Sequence, residues 1–225
     1  MKKYAVIVAG GSGLRMKTAL PKQFLSLQGK PVLFYTLTAF LEAFPDLQII
    51  LVLPEQSRST GEEIVAQTMD PSRIRITTGG ETRFHSVKNG LEYVRDHSIV
   101  FVHDGVRCLV SPELIRRCYD MAIEKGNAIP AITAVDTIRI ETFSGNQQID
   151  RNKVRIIQTP QTFFSEIIKA AFEQDYIDSF TDEASVVEKL GVKINLVEGE
   201  ETNIKITRPV DLLIAEKIIE EKKIS

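Results

Sequence analysis

The first candidate site is a glycine-rich loop near the amino terminus. Residues 9–17 read Ala-Gly-Gly-Ser-Gly-Leu-Arg-Met-Lys and directly follow an apolar run. Glycines let backbone N–H groups approach phosphate oxygens closely, and Arg15 and Lys17 add positive charge. No Gly-Lys-Ser/Thr closes the loop as in a Walker A motif, and Met16 stands where a dinucleotide-binding fingerprint has its third glycine. The loop predicts a phosphate contact, although a plain glycine turn is the alternative.

Positive charge is concentrated in the same part of the chain. Residues 1–41 contain six Lys or Arg side chains and no Asp or Glu, and the first acid is Glu42. One of these cations, Lys22, lies in the triplet Pro-Lys-Gln, seven residues after Arg15. The whole chain has 28 basic and 30 acidic side chains and a net charge of −2, which does not favour a nucleic-acid binder. We therefore expect a local site for a small anion.

A second candidate site lies at the end of an apolar strand in the middle of the chain. Residues 99–102 are apolar and are followed by His103 and Asp104. In α/β proteins, ligands bind at the carboxyl edge of the sheet, so Asp104 is a candidate ligand-binding residue. The alternative is a turn cap, because Asp readily forms Asx turns. We expect His103 to be packed or hydrogen-bonded within the fold rather than to act as an acid or base.

These residues belong to a series of motifs in a fixed order. The motifs are Gly10 to Arg15, Pro21-Lys22-Gln23, Gly79 to Arg83 with Ser86-Val87, His103 to Arg107, Asp136-Thr137, Asp150-Arg151, Gln158 to Gln161, Thr181 to Ser185 and Asn203 to Thr207. Together they resemble the cytidylyltransferases that activate sugar or polyol phosphates, most closely the 2-C-methyl-D-erythritol 4-phosphate cytidylyltransferase family. The resemblance covers essentially the whole chain. It implies an enzyme of non-mevalonate isoprenoid precursor synthesis that transfers a cytidylyl group from CTP and releases pyrophosphate.

The residue types suit such a transfer. A phosphate monoester has a second pKa near 6, so the attacking oxygen is ionised at pH 7 and needs no general base. The site must instead bring two anions together, which requires cations and oriented N–H donors. The resemblance places Arg15 and Lys22 on the triphosphate side as the catalytic cations, with Lys22 beside the α-phosphate.

The resemblance also implies the remaining site residues. For CTP binding they are Ala9, Gly10, Gly11, Gly13, Arg15, Lys22, Gly80, Glu81, Ser86 and Asp104. For the acceptor phosphate they are Thr137, Arg151, Thr159 and Lys205. Asp104 would lie near Mg²⁺ or another divalent cation, in direct contact or through water. Arg83 and Arg107 are further site candidates, although Arg83 could instead belong to a structural ion pair. Cys108 stands where many family members have proline, which puts the stiffness of that loop in doubt.

Strand-like and helix-like patterns alternate along the first 133 residues. They predict an α/β fold, a Rossmann-like, mostly parallel sheet flanked by helices. The expected strands are 4–9, 48–53, 73–77, 99–103 and 128–133, and the expected helices are 32–43, 61–69, 82–95 and 112–125. Ser111 is expected to cap the last of these helices, with Pro112 at its first position.

The alternation of strand-like and helix-like patterns is interrupted at about residues 135–158, where we expect an inserted β-hairpin arm. Its strands would be 137–143 and 148–157, joined by a turn at 144–146. A lone two-stranded hairpin is marginally stable in water, so a partner subunit is expected to cover it. The resemblance likewise implies a homodimer in which the arm reaches the neighbouring active site. Further helices at 165–174, 181–190 and 209–223 and strands at 193–197 and 203–206 complete a single expected domain, 1–225.

Composition excludes several other classes of protein. The chain is 43% apolar and 26% charged, as is usual for globular proteins. No apolar run approaches the roughly 20 residues of a membrane span, and the start shows no signal-peptide pattern, so we expect a cytoplasmic protein without membrane contact. The two cysteines match neither a disulfide framework nor a zinc motif.

Three other functions are alternatives to cytidylyl transfer onto methylerythritol phosphate. A ribitol-5-phosphate cytidylyltransferase would share the glycine loop, and only the motifs at 181–185 and 197–205 favour methylerythritol phosphate. A non-catalytic nucleotide-binding protein would not need the acceptor-phosphate cations Arg151 and Lys205. A nicotinamide oxidoreductase lacks support, because both the third glycine and the acidic ribose ligand about 20 residues later are missing.

Overall fold

The strands and helices follow from a computed structural model that describes residues 1–11, 20–95 and 97–222. The strands are β1 (Lys2–Val8), β2 (Ser26–Leu27), β3 (Lys30–Pro31), β4 (Leu47–Leu53), β5 (Ile74–Thr78), β6 (Ser98–Asp104), β7 (Asn127–Thr133), β8 (Ile138–Thr142), β9 (Gly145–Ile149), β10 (Arg155–Ile157), β11 (Gln161–Phe164) and β12 (Leu196–Glu198). The helices are α1 (Val32–Ala43), α2 (Arg58–Val65), α3 (Arg83–Leu91), α4 (Pro112–Lys125), α5 (Ser165–Phe172), α6 (Glu183–Glu188) and α7 (Pro209–Lys222).

The central sheet is mixed, with a parallel core. Its strand order is β10-β7-β11-β6-β1-β4-β5, and β12 pairs with β7 outside this path. β5, β4, β1 and β6 run parallel, whereas β11 is antiparallel to both β6 and β7. The predicted α/β class, with a mostly parallel sheet, is confirmed.

Successive residues of the strands pack on opposite faces of the sheet, where helices cover them. In β1, Ala5 and Ile7 join a buried cluster with α1, α2 and α4, and Val6 and Val8 join another with α3, α5 and α6. This alternation follows from the two-residue period of a strand. Because both faces are covered, β1, β4 and β6 contain continuous runs of buried apolar residues, at 5–8, 49–53 and 99–102. A ligand is therefore expected at the carboxyl edge of the sheet, where α/β proteins bind their ligands.

The helix ends show why these segments start and stop where they do. The Ser111 hydroxyl accepts a hydrogen bond from the Leu114 amide at 3.0 Å, as predicted, and α4 ends at Gly126, which has φ +90°. Asp182 caps α6 in a capping box with Ser185.

Two helices differ from their expected bounds. α2 starts three residues earlier than expected and ends at Val65, while α3 ends at Leu91 rather than at residue 95.

The sequence patterns missed two strand features. β11 was not expected, because four residues between a proline and a helix are too few to show a strand period. The short hairpin β2–β3 was missed for the same reason. Conversely, residues 203–206 form no strand; the Ile206 amide donates to the Val106 carbonyl at 3.0 Å and holds this segment in place.

The inserted hairpin is present, but its return strand is shorter than predicted. β8 pairs with β9 in a separate two-stranded sheet. A 3-10 turn at Arg151–Lys153 then interrupts the chain, and β10 joins the central sheet beside β7. The prediction of one continuous strand over 148–157 is therefore wrong. Asp150 caps the interrupting turn by accepting a hydrogen bond from the Asn152 amide.

Within the described parts of the chain, no helix has the length and apolar character that crossing a membrane requires.

Candidate active site

A cavity of about 610 Å³ opens at the carboxyl ends of β1, β4, β5 and β6. This is the edge at which α/β sheets bind their ligands. Its lining brings together residues from distant parts of the sequence: residues 8–11, 22, 23, 54–56, 79–83, 86, 104, 106 and 205. Lys22, Arg83 and Lys205 are the cations among these residues, and Glu55, Glu81 and Asp104 are the acids.

The first wall is the continuation of β1. The Ala9 amide donates to the Val52 carbonyl at 3.0 Å, which carries the chain past the strand end to Gly10 and Gly11. The buried side chain of Gln23 donates from Nε2 to the Ala9 carbonyl at 2.7 Å and ties the Pro-Lys-Gln turn to this wall. Lys22 is only 8% exposed and also lines the cavity. Gly13 and Arg15 lie outside the described residues.

The second wall is the loop between β5 and α3. The Gly80 amide donates to Ser86 Oγ at 3.1 Å, and a Cβ at Gly80 would lie 2.4 Å from the His85 Cβ. A side chain at this position would therefore push the loop away from α3. Thr82 caps α3 by accepting a hydrogen bond from the His85 amide. Glycine is required here because the loop passes so close to the helix.

Asp104 is the centre of an ionic cluster on the cavity wall. Its Oδ1 lies 3.1 Å from Arg83 Nε, and its Oδ2 lies 2.8 Å from Lys205 Nζ and 3.7 Å from Arg107 Nε. Burial by itself would raise the pKa of Asp104, but the charges of Arg83, Lys205 and Arg107 hold it below its usual value. Asp104 is therefore a carboxylate at any pH near neutrality.

His103 and Thr159 lie behind Asp104 in the interior. His103 Nε2 donates to the Arg107 carbonyl at 3.2 Å, so its Nδ1 accepts from the Thr159 hydroxyl at 2.9 Å. The same hydroxyl accepts a hydrogen bond from the Asp104 amide at 3.1 Å. Burial lowers the pKa of His103 to about 3, and both its ring nitrogens are occupied. His103 is therefore a neutral structural side chain, as expected, and it fixes the end of β6.

A hydrogen-bond network places Lys205 beside Asp104. Gln158 Nε2 donates to the Glu200 carbonyl at 2.7 Å, and Asn203 Nδ2 donates to the Thr159 carbonyl at 2.9 Å. Arg107 Nη1 donates to the Asn203 carbonyl at 2.9 Å. Arg107 thus binds the segment that carries Lys205, and it does not line the cavity itself.

The predicted site residues that the structure describes fall into three groups. The cavity lining includes Ala9, Gly10, Gly11, Lys22, Gly80, Glu81, Arg83, Ser86, Asp104 and Lys205. Thr159 and Arg107 do not line the cavity. Thr159 accepts a hydrogen bond from the Asp104 amide, and Arg107 donates to the Asn203 carbonyl in the segment that carries Lys205. Thr137 and Arg151, both exposed at the base of the hairpin arm, do not belong to the described cavity lining.

Sequence reasoning gave no role to several residues that belong to this site. Pro54, Glu55 and Gln56 line the cavity after β4, and their signal was available, since they directly follow an apolar strand. Glu183 belongs to the motif Thr181 to Ser185, but nothing in the sequence indicates that it pairs with Arg83. Long-range pairing of this kind requires the tertiary structure.

The two cysteines take no part in this chemistry. Burial raises the pKa of Cys108 and that of Cys118 to about 12, so both thiols stay protonated near neutral pH. Cys108 packs in a buried apolar cluster with Leu27, Val106 and Ile206.

The sheet, together with the cations that line the cavity at its carboxyl edge, is typical of α/β proteins that bind phosphate-containing ligands. A family model described as 2-C-methyl-D-erythritol 4-phosphate cytidylyltransferase matches residues 4–221, and the chain belongs to that family. Proteins of that name from Phocaeicola vulgatus and Bacteroides fragilis are each 48% identical over 219 residues, spanning 97% of this chain and 100% of theirs.

Solved structures agree with this assignment. The 4-diphosphocytidyl-2C-methyl-D-erythritol synthase from Anaerococcus prevotii is 29% identical, with a TM-score of 0.84 over 97% of this chain and 96% of that one. The 2-C-methyl-D-erythritol 4-phosphate cytidylyltransferase from Thermus thermophilus is 30% identical, with a TM-score of 0.76 over 98% of this chain and 100% of that one.

Proposed function

We propose that this chain transfers the cytidylyl group of CTP to 2-C-methyl-D-erythritol 4-phosphate. The products are 4-diphosphocytidyl-2-C-methyl-D-erythritol and pyrophosphate, and the reaction belongs to non-mevalonate isoprenoid precursor synthesis. One observation carries the proposal: a single cavity contains both Lys22, from the triphosphate-side motif, and Lys205, from the acceptor-side motif. Family membership supports the same conclusion.

The nucleotide occupies the side of the cavity formed by β1 and the β5–α3 loop. Backbone groups at Gly10 and Gly11 and the ammonium group of Lys22 face the phosphates, with Arg15 as the second cation. Gly80, Glu81 and Ser86 hold the base. Fixed N–H donors and cations stabilise the charge that develops on the α-phosphate, because they do not have to reorient during the reaction.

The acceptor phosphate attacks the α-phosphorus without a general base. Its second ionisation lies near pH 6, so the attacking oxygen is already unprotonated. The nearby imidazole, His103, is neutral and has no free nitrogen, which supports a mechanism based on charge and position. Lys205 attracts the acceptor phosphate, and Thr159 and Arg107 hold the segments that carry Asp104 and Lys205.

A divalent cation such as Mg²⁺ is part of the proposal. Among the described residues no group of three or more His, Cys, Asp or Glu side chains could hold a metal ion. Mg²⁺ often uses only one or two carboxylates together with substrate phosphates, and Asp104 suits that arrangement. Both Asp104 oxygens contact cations, so contact through water fits best. When bound, the metal ion would neutralise phosphate charge.

A homodimer with exchanged arms is also proposed. The β8–β9 hairpin pairs with no other strand among the described residues and exposes the apolar side chains Ile140 and Phe143. An isolated hairpin of this kind needs a covering surface. Thr137 and Arg151 do not belong to the described cavity lining of their own subunit, which supports a role at the acceptor phosphate in the partner's cavity.

The decisive experiment offers methylerythritol 4-phosphate and ribitol 5-phosphate separately, each with the four nucleoside triphosphates. We expect pyrophosphate release with CTP and methylerythritol phosphate above all other pairs. The variant Lys22→Ala should lower kcat by ~10²–10³, because it lacks one donor to the developing charge. Lys193→Ala is its matched control, because Lys193 is exposed and lies outside the cavity lining. If neither acceptor reacts with CTP, the proposed function is wrong; preference for ribitol phosphate would change the acceptor.

A further inference from the structure

Glu183 is a carboxylate that is only 1% exposed and does not line the cavity. Both terminal nitrogens of Arg83 bind its carboxylate oxygens: Nη1 contacts Oε1, and Nη2 donates to Oε2 at 3.1 Å. Such paired contacts between a guanidinium and a carboxylate fix the plane of the guanidinium as well as its position. Burial raises the pKa of Glu183, and the charge of Arg83 opposes that rise. Because both Glu183 oxygens accept hydrogen bonds from the guanidinium, the geometry fits the ionised carboxylate.

The chain holds Glu183 in place from its own side as well. Glu183 is the first residue of α6, whose capping residue is Asp182. The buried side chain of Gln161, in β11, donates from Nε2 to Asp182 Oδ2 at 2.8 Å and accepts from the Ala184 amide at 2.8 Å. The start of α6 is therefore fixed to the central sheet, and Glu183 is a rigid support for Arg83.

Arg83 connects this support to the cavity. While both terminal nitrogens contact Glu183, the Arg83 Nε donates to Asp104 Oδ1 at 3.1 Å. The other oxygen of Asp104 contacts Lys205 Nζ at 2.8 Å. Each oxygen of Asp104 thus has its own close cation. Burial disfavours the charge on Arg83, but Glu183 and Asp104 raise its pKa above the usual value, so Arg83 stays charged.

We propose that Glu183 is a positioning residue for the transfer reaction. By binding the terminal nitrogens of Arg83, it limits Arg83 to one oxygen of Asp104 and leaves the other oxygen to Lys205. Without the Glu183 charge, the Arg83 guanidinium turns toward Asp104, binds both oxygens and displaces Lys205 from its position. The inference rests on the proposed function. It makes Glu183 necessary for binding of the acceptor phosphate and not for binding of CTP.

The test compares Glu183→Gln with Glu188→Gln. Glu188 lies on the same helix and is exposed, so the second variant makes the same change of charge away from Arg83. We expect Glu183→Gln to raise the KM for methylerythritol 4-phosphate about tenfold while the KM for CTP changes less than about twofold. Glu188→Gln should match the wild type in both constants. Melting curves establish that each variant is folded.

Glu183→Asp keeps the test decisive if Glu183→Gln does not fold. It retains the buried charge but is one methylene shorter, so Arg83 moves and the acceptor KM should rise severalfold. A folded Glu183→Gln with an unchanged acceptor KM overturns the inference. So does a folded Glu183→Asp with unchanged constants, or an equal rise in the KM for CTP and for the acceptor. If the wild type turns over no acceptor, the proposed function fails first, and this inference fails with it.

Discussion

At the scale of single residues, the polar groups at the end of β6 alternate between the cavity and the interior. Asp104 faces the cavity cations, whereas His103 is fully buried and lies 5.0 Å from the Phe40 ring, measured between ring centroids. Two adjacent polar residues therefore have different functions: one supplies charge to the site and the other fixes the strand end. The difference follows from the alternation of side chains along a strand.

Protonation of His103 should weaken the fold in acid. Its pKa is about 3 in the folded chain, against an ordinary value of 6.5, so below pH 6.5 the unfolded chain binds a proton that the folded chain does not. The contribution of neutral His103 is complete above pH 6.5 and is lost as the pH falls toward 3, by up to about 1.4 kcal/mol per unit.

Urea unfolding of the wild type and of His103→Gln measures this effect. We expect the wild type to be more stable at pH 7.5 and the difference in unfolding free energy to shrink by about 2 kcal/mol at pH 5.0. Glutamine does not titrate, so it serves as the reference. A difference that stays constant between the two pH values would contradict the assignment of a neutral, buried imidazole.

At the scale of elements, close packing of α3 on the sheet determines where its residues reach the cavity. A Cβ at Gly90 would lie 2.5 Å from Val6 Cγ1 and 3.1 Å from Val52 Cγ2. β-branched side chains have little freedom to move away. The glycine therefore lets α3 approach β1 and β4, and the same helix carries Arg83 and Ser86 to the cavity.

Gly90→Ala tests this contact. Alanine favours helix by up to about 1 kcal/mol over glycine, but overpacking against two valines costs about 1–3 kcal/mol, so we expect lower stability. Glu92→Ala, at an exposed position next to the end of α3, is the control and should change the unfolding free energy by less than about 0.5 kcal/mol. A Gly90→Ala variant that is more stable than the wild type would show that close approach is not needed there.

At the scale of the whole molecule, the proposed arm exchange predicts complementation between two inactive variants. Lys22→Ala should lower kcat by ~10²–10³, as expected for loss of one donor to the developing charge, and Arg151→Ala should weaken the acceptor site. If Arg151 acts on the partner, a mixed dimer contains one intact site, which joins Lys22 of one subunit with Arg151 of the other.

Purified heterodimers carrying two different affinity tags measure the effect. We expect about half of the wild-type activity per heterodimer, whereas each homodimeric variant stays nearly inactive. Doubly tagged wild-type dimers are the control for the tags and the exchange procedure. Activity no higher than the mean of the two variants would exclude shared sites.

The sequence by itself determined the parts that depend on local pattern. The α/β class, the strands β1, β4 and β6, the cap of α4 and the motifs at the cavity follow from periodicity, turn residues and short motifs, which are local properties. The order of the motifs was enough to indicate the family that the comparisons established.

Only the tertiary structure decided which residues meet. The pairing of Arg83 with Glu183 spans 100 residues, and that of Asp104 with Lys205 spans about as many, so neither pattern nor spacing could reveal them. The insertion of β11 between β6 and β7, and the break at residues 151–153, were missed for a related reason. Short segments gain their conformation from the neighbours they pack against, and those neighbours are fixed only when the whole chain has folded.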